Sequence, residues 1–251
     1  DLGNFTIIGP SGSGKTVVLN FLLAQARRFR PRTIFFDKDR GAELFIRAIG
    51  GSYDRLRPGE PSGLNPLQLE DTPANRAFLN EWLGLLASGV NGEEAEQIRE
   101  AVETSFLQPI ERRRLRHFVE LFRGGDRPHG GDLYARLKPW WGPGERAWLF
   151  DNARDATDLG QETVGFDMTA ILDDPATRTP AMFYFFHRVE QRLRGAGQLG
   201  VARRRVGHGA IVTGPGAGGE TQTRRRVGNV LTGSHPLPSR RPEIVVHAIA
   251  T

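Results

Sequence analysis

Near the start of the chain, two short and continuous apolar runs enclose a segment in which apolar residues recur at helical spacing. The first run, Phe5–Ile8, and the second, Thr33–Phe36, are of the kind that a parallel sheet buries on both faces. The segment between them fits a helix from Thr16 to about Phe29, and the second run ends at Asp37. This order predicts one β-α-β unit, whose crossover should be right-handed.

The middle of the chain carries helix signals instead. Thr72, which precedes a proline, is typical of a helix start, and Asn91 predicts the N-cap of a second helix. A third helix is expected from about Pro109 to Phe122, and a shorter one after Asp132. We therefore predict a helical insert at about residues 72–141.

Strand signals return after the insert. Thr163–Met168 is another apolar run, with Asp167 near its end, and Thr179-Pro180 then predicts the start of an apolar helix. Neither pattern continues beyond Leu193. Together these elements predict an α/β domain over residues 1–193, with a mostly parallel sheet and helices on both faces.

Composition and charge separate the end of the chain from the rest. The 251 residues include no Cys, which excludes a disulfide scaffold. The chain carries a net charge of +5. Residues 194–251 contain nine Arg against two Glu, a charge of +7, whereas residues 1–193 contain 25 basic and 27 acidic residues, a charge of −2. The basic character therefore belongs to the tail, and we expect no membrane-spanning segment because no run reaches about 18 apolar residues.

The tail of residues 194–251 leaves two structural alternatives. Its short apolar runs Ala210–Val212 and Ile244–Val246 could pair as strands, but the simpler interpretation is a poorly ordered Arg/Gly-rich extension. Because the chain opens with Asp1 and a strand-like run begins by Phe5, we also expect it to be a piece of a longer protein.

The turn between the first strand and the first helix carries the clearest chemical signal. It matches G-x-x-x-x-G-K-[ST], the phosphate-binding P-loop, in which glycines let backbone N–H groups approach a phosphate chain and the helix directs its positive end at the same anion. Lys15 would reach the β- and γ-phosphates of ATP, and the Thr16 hydroxyl would bind Mg²⁺. The residues expected to contact the nucleotide are Gly9, Pro10, Ser11, Gly12, Ser13, Gly14, Lys15, Thr16 and Val17.

Acidic residues follow both later strands of the predicted sheet. Asp39 and Glu43 lie just after the run that ends at Asp37, and Asp167 ends the later one, at the sheet edge where ligands of open α/β folds bind. These carboxylates could position water or Mg²⁺ beside the γ-phosphate, or they could belong to a solvated turn and a salt-bridged helix start. We count Asp39 and Glu43, with Lys15, as catalytic candidates and Asp167, with Thr16, as a metal candidate.

Several segments together resemble the CagE/TrbE/VirB-type ATPases of type IV secretion and conjugation systems. The resemblance rests on Gly9–Thr16, Phe35–Glu43, Pro58–Leu67, Trp148–Asn152, Gly165–Thr169 and Leu172–Pro175. It implies a RecA-like P-loop NTPase core with a helical insert, association into hexamers, and contacts with other channel subunits at the cytoplasmic face of the inner membrane. It also implies a DNA or protein substrate for export.

One departure from the family pattern is serious. After the helix that ends near Leu193, the resemblance implies an apolar strand closed by Asp-Glu, which coordinates Mg²⁺ and activates the attacking water. This chain has no Asp beyond Asp174. We hypothesise a reading-frame shift as the cause of the loss, because codons for Arg203–Gly207 can read one base later as Val-Asp-Glu-Trp.

We therefore expect the core to be incomplete at its C-terminal side, with ATP binding but poor hydrolysis. Two alternatives stay open: an inactive truncated or structural subunit, and another P-loop DNA translocase or kinase.

Overall fold

The computed structural model describes residues 4–5, 7–8, 10, 12–123, 133–195, 210–211 and 243–248. The strands are Asn4–Phe5 (β1), Arg32–Asp37 (β2), Ser52–Arg55 (β3), Thr163–Asp167 (β4), Ala210–Ile211 (β5) and Glu243–Ala248 (β6). The helices are Lys15–Ala26 (α1), Glu43–Ala48 (α2), Pro73–Leu86 (α3), Gly92–Phe106 (α4), Leu115–Phe118 (α5), Leu133–Leu137 (α6), Ala147–Phe150 (α7), Thr169–Asp173 (α8) and Pro175–Gly195 (α9).

The chain divides into two compact units. The first, here called the sheet unit, comprises residues 1–54, 160–167 and 193–251, and the second, the helical unit, comprises residues 55–159 and 168–192. The helical unit therefore extends beyond the predicted insert. Among the described residues, no helix has the length and apolar character needed to cross a bilayer.

The sheet unit is built on a four-stranded sheet in the order β3-β4-β2-β6. β2 pairs in parallel with β4 on one side and with β6 on the other. Its residues from Thr33 to Asp37 are all buried, as a continuous apolar run between two neighbours requires. The structure thus confirms the predicted α/β class with parallel strand pairs.

The prediction for the first strand is wrong. Phe5–Ile8 does not enter the parallel sheet: β1 covers only Asn4–Phe5 and pairs antiparallel with β5, while Ile8 is 90% exposed. The place beside β2 is taken by β6, which contains the apolar run Ile244–Val246. The predicted β-α-β unit between Phe5 and Asp37 is wrong for the same reason.

Two short parts of the tail form strands. Ala210–Ile211 pairs with β1 and Glu243–Ala248 pairs with β2, so for these runs the strand alternative holds. Val212 lies outside the described residues.

The first two helix starts of the helical unit are confirmed. The Thr72 hydroxyl accepts from the Asn75 amide at 3.2 Å, and Asn91 and Glu94 form a reciprocal capping box at the start of α4. The third predicted helix is broken instead into two 3₁₀ turns, Ile110–Arg112 and Val119–Phe122, on either side of α5. Asp132 lies outside the described residues.

The start of the last helix differs from its prediction. α9 begins at Pro175, five residues before Pro180, which lies inside the helix. The Asp174 carboxylate accepts from the Ala176 amide at 2.9 Å, and this contact satisfies one of the amides that a helix start leaves open. An acidic residue before a proline is the same signal as Thr179-Pro180, so the sequence offered two equivalent starts.

Candidate nucleotide-binding site

The turn before α1 has the backbone that phosphate binding requires. Gly12 and Gly14 have φ angles of 77° and 83°, a left-handed conformation that side chains rarely adopt, and a Cβ built on either glycine meets no atom within 4 Å. The Ser13 amide donates to the Pro10 carbonyl at 3.2 Å and closes the turn. The space above the two glycines is therefore open to a ligand. Gly9 and Ser11 lie outside the described residues.

The N-terminus of α1 points an uncapped end at this turn. Its N-cap is Gly14, which supplies no side-chain acceptor, and its first turn contains no acidic residue. The helix has 12 residues, long enough for its aligned peptide dipoles to favour an anion at this end. Lys15 Nζ donates to the Pro10 carbonyl at 2.8 Å, so its ammonium group lies across the turn. These features fit the phosphates of a nucleotide.

Thr16 lies against the loop that follows β2. A Cβ on Gly41 would come within 3.1 Å of Thr16 Cγ2 and 3.5 Å of Thr16 Oγ1, so a larger residue here would require the Thr16 side chain to shift by a few tenths of an ångström. The next residue of the motif, Val17, is 70% exposed. Thr16 is thus a P-loop residue with a close neighbour from outside the motif.

A buried carboxylate lies at the end of β2. Asp37 is 1% exposed, and its Oδ2 accepts from the Ala42 amide at 2.9 Å and from the Tyr53 hydroxyl at 2.8 Å. Burial raises the pKa of Asp37 above its ordinary value, because the charged form loses its hydration, and the negative charges of Asp167 and Asp39 act in the same direction.

Asp167 ends the neighbouring strand in register with Asp37. It is 7% exposed, and one of its oxygens lies 3.9 Å from Arg40 Nε. Asp39 and Arg40 form the exposed turn between β2 and α2, with φ angles of 66° and 57°. The structure therefore brings Asp167 and the turn together at the carboxyl end of the parallel strands.

Glu43 has a different environment from the two buried aspartates. It is the first residue of α2, and its Oε1 accepts from Arg47 Nε at 3.0 Å. This is the salt-bridged helix start that the sequence left open as an alternative. Among the described residues, no group of three or more His, Cys, Asp and Glu side chains is arranged to hold a metal ion.

On the other side of β2, the described residues of β6 offer no carboxylate at this edge. In β6, His247 stands in register with Phe36 and Ala248 with Asp37, while the acidic residue of the strand, Glu243, lies at its other end beside Arg32. The strand β6, which comes after α9 in the sequence and pairs with β2, therefore does not end in Asp-Glu.

Sequence reasoning missed two contributors to this region, Gly41 and Tyr53. The signal for Gly41 was available: a glycine followed by an alanine, four residues after the acidic strand end at Asp37, indicates a close backbone approach. Tyr53 carried no local signal, because its partner Asp37 lies 16 residues away in sequence.

Comparison with known proteins finds relatives of this sequence. The chain is 40% identical over 200 residues to the type IV secretion system protein virB4 of Bartonella henselae, an alignment that covers 78% of the chain and 25% of that protein. It is 42% identical over 211 residues to the type IV secretion system protein PtlC of Bordetella pertussis, over 77% of the chain and 26% of that protein. No family model matches the chain.

A solved structure supports the fold. The structure of VirB4 of Thermoanaerobacter pseudethanolicus matches with a TM-score of 0.59 and 18% sequence identity, over 75% of this chain and 57% of that one. At this identity the match bears on the fold alone.

The fold and the glycine-rich turn define a P-loop α/β protein. Its sequence is homologous to the VirB4 and PtlC proteins of type IV secretion systems, which confirms the resemblance. The chain spans about a quarter of the length of these curated relatives.

Proposed function

We propose that this chain is the ATP-binding part of a type IV secretion motor of the VirB4 type. The observation that carries the proposal is the open, glycine-lined and uncapped N-terminus of α1, in a segment about 40% identical to VirB4-type proteins. The parallel strand ends place Asp37 and Asp167 at the same edge of the sheet, where open α/β folds bind ligands.

Each residue has a defined role in this proposal. The backbone amides from Gly12 to Lys15 bind the phosphate chain, Lys15 Nζ leaves the Pro10 carbonyl for the β- and γ-phosphates, and Thr16 Oγ1 binds the Mg²⁺ that accompanies ATP. When bound, Mg²⁺ neutralises charge on the phosphates. Asp167 lies at the sheet edge as a candidate outer ligand, and Asp39 is an exposed candidate for orienting water.

We further propose that this chain hydrolyses ATP poorly. Hydrolysis needs a carboxylate that orients water beside the γ-phosphate, and β6, one of the two strands beside β2, ends in His247 and Ala248 and not in the Asp-Glu pair that the family resemblance implies. Glu43 is held by Arg47, so it is a weak substitute. The same observation favours the second candidate, a nucleotide-binding but structural subunit.

The wider role comes from the family and is proposed with it. We propose assembly of the intact protein into hexamers at the cytoplasmic face of the inner membrane, in contact with other channel subunits. There it would energise pilus assembly or the export of DNA or protein.

Calorimetric titration with ATP and Mg²⁺ tests the binding proposal. We expect Lys15→Ala to abolish the heat of binding, because it removes the one side-chain cation that the motif supplies. Lys138→Ala is the matched control: it deletes an exposed lysine of the helical unit and should bind as the wild type does. Equal binding by wild type and Lys15→Ala would contradict the proposed site.

Phosphate release tests the second part of the proposal. We expect the purified chain to release inorganic phosphate from ATP at the rate of the Lys15→Ala variant. Robust release that Lys15→Ala abolishes would show that another residue orients the water.

A further inference from the structure

We propose that Asp37 and Tyr53 are positioning residues for the nucleotide site, because their hydrogen bond holds the turn of residues 38–42 against Thr16. This inference rests on the proposed function. According to this inference, a buried pair outside the P-loop contributes to the Mg²⁺-dependent affinity for nucleotide.

The pair is built around a single carboxylate oxygen. Oδ2 of Asp37 accepts from the Tyr53 hydroxyl at 2.8 Å and from the Ala42 amide at 2.9 Å. All three residues are buried, with exposed fractions of 1%, 4% and 0%. Hydrogen bonds to a carboxylate in such surroundings are stronger than in water, and a donor left without its acceptor there is costly.

The turn that this oxygen holds is strained. Asp39 and Arg40 both adopt left-handed backbone angles, which are unfavourable for residues other than glycine. Such a conformation persists where the surrounding structure over-determines it. The contact from the Ala42 amide to Asp37 spans the turn and closes it from the buried side.

Packing connects the same turn to the helix of the proposed site. Ala42 and Tyr53 belong to one buried cluster with Leu19 and Leu23 of α1. Gly41, next to Ala42, approaches the Thr16 side chain so closely that an added Cβ would lie 3.1 Å from its Cγ2. The turn therefore lies next to the Thr16 side chain, and a change in its shape would alter the space available to that side chain.

The arrangement of these contacts predicts that a change in the turn affects Mg²⁺-dependent nucleotide binding more than metal-free binding. In the proposed site the phosphates are bound by amides of residues 12–15, whereas the turn lies next to Thr16, the proposed Mg²⁺ ligand. Loosening the turn should therefore reduce the gain in affinity that Mg²⁺ provides and leave metal-free binding nearly unchanged. A general loss of stability would instead weaken both kinds of binding.

The gain is measured by titrating the 251-residue chain with a non-hydrolysable ATP analogue, once in the presence of Mg²⁺ and once in the presence of EDTA. Tyr53→Phe removes one of the two donors to Asp37, and we expect it to reduce the gain by on the order of threefold to tenfold. Tyr184→Phe is the matched control: Tyr184 is a fully buried tyrosine of the helical unit that also donates to a carboxylate, that of Asp155. It should keep the full gain.

Gly41→Ala tests the same contact from the other side. It leaves the Asp37–Tyr53 pair intact and presses a methyl group on Thr16, so it should also reduce the gain from Mg²⁺. It decides the matter if Tyr53→Phe fails to fold, which thermal unfolding by circular dichroism would reveal.

The outcomes separate this inference from the proposed function. A wild-type chain that binds no analogue refutes the proposed function, and the inference with it. A wild-type chain that binds, together with an unchanged gain in folded Tyr53→Phe or in Gly41→Ala, overturns the inference alone. A loss that is equal with Mg²⁺ and with EDTA also overturns it.

Discussion

At the scale of single residues, Asp37 is under two opposing influences. Burial and the nearby Asp167 raise its pKa, whereas the hydrogen bonds from the Ala42 amide and Tyr53 lower it, and burial prevails. The folded chain is therefore less stable when the Asp37 carboxylate is charged than when it is protonated.

This balance predicts how stability depends on pH. Because the folded pKa of Asp37 lies above the unfolded value of about 3.9, the folded chain binds more protons in the window above that value, and the free energy of unfolding falls as the pH rises through it. Asp37→Asn keeps an oxygen acceptor and cannot titrate. Urea unfolding between pH 4 and 7 should show the wild type losing stability relative to Asp37→Asn. A relative gain would mean that the pKa is lowered.

Single residues also show which parts of the site can be predicted from the sequence. Gly12, Gly14 and Lys15 are found because the P-loop is a local pattern whose chemistry needs these residues in this order. The contact between Asp37 and Tyr53 is set by how β2 and β3 are placed in the sheet, and no local pattern encodes it. For the same reason, the sequence could not decide whether Glu43 faces the nucleotide or forms a salt bridge at the helix start. Its salt-bridge partner, Arg47, is one of several basic residues nearby in the sequence.

At the scale of elements, two helix starts were predicted accurately. The N-caps Thr72 and Asn91 are correct because capping depends on a few adjacent residues. The predicted strand at Phe5–Ile8 is wrong because pairing depends on distant segments, and a strand more than 200 residues later occupies the position beside β2.

The capping box of α4 provides a test at this scale. The Glu94 amide donates to Asn91 Oδ1 at 2.9 Å, so Asn91→Ala should lower the free energy of unfolding by about 1 kcal/mol. Asn91→Ser keeps a side-chain acceptor and should stay within a few tenths of a kcal/mol of the wild type. Denaturant unfolding of both variants measures the difference, and equal losses would show that the cap contributes little.

At the scale of the whole molecule, the sheet unit depends on a segment from the end of the chain. β6 supplies the neighbour that β2 needs on one side, over the register from Arg32↔Glu243 to Asp37↔Ala248. The same strand supplies no carboxylate at the site. The chain thus has a sheet edge that positions Asp37 and Asp167 but lacks the Asp-Glu pair that the family resemblance implies.

Removal of residues 243–251 tests this dependence. Without β6, the backbone groups of β2 on that side lose their partners, so we expect the amides of residues 32–37 to exchange hydrogen for deuterium at least about tenfold faster. Peptides from α3, in the helical unit, serve as the internal reference. Unchanged exchange in β2 would show that β6 does not protect it in solution.

The most direct test of the central claim is hydrogen exchange at the N-terminus of α1 with and without ATP and Mg²⁺. If the amides there bind the phosphate chain, residues 12–17 should exchange more slowly in the presence of nucleotide in the wild type and not in Lys15→Ala, while α4 stays unchanged. Unaltered exchange at residues 12–17 in nucleotide-saturated protein, or protection confined to another segment, would contradict the account.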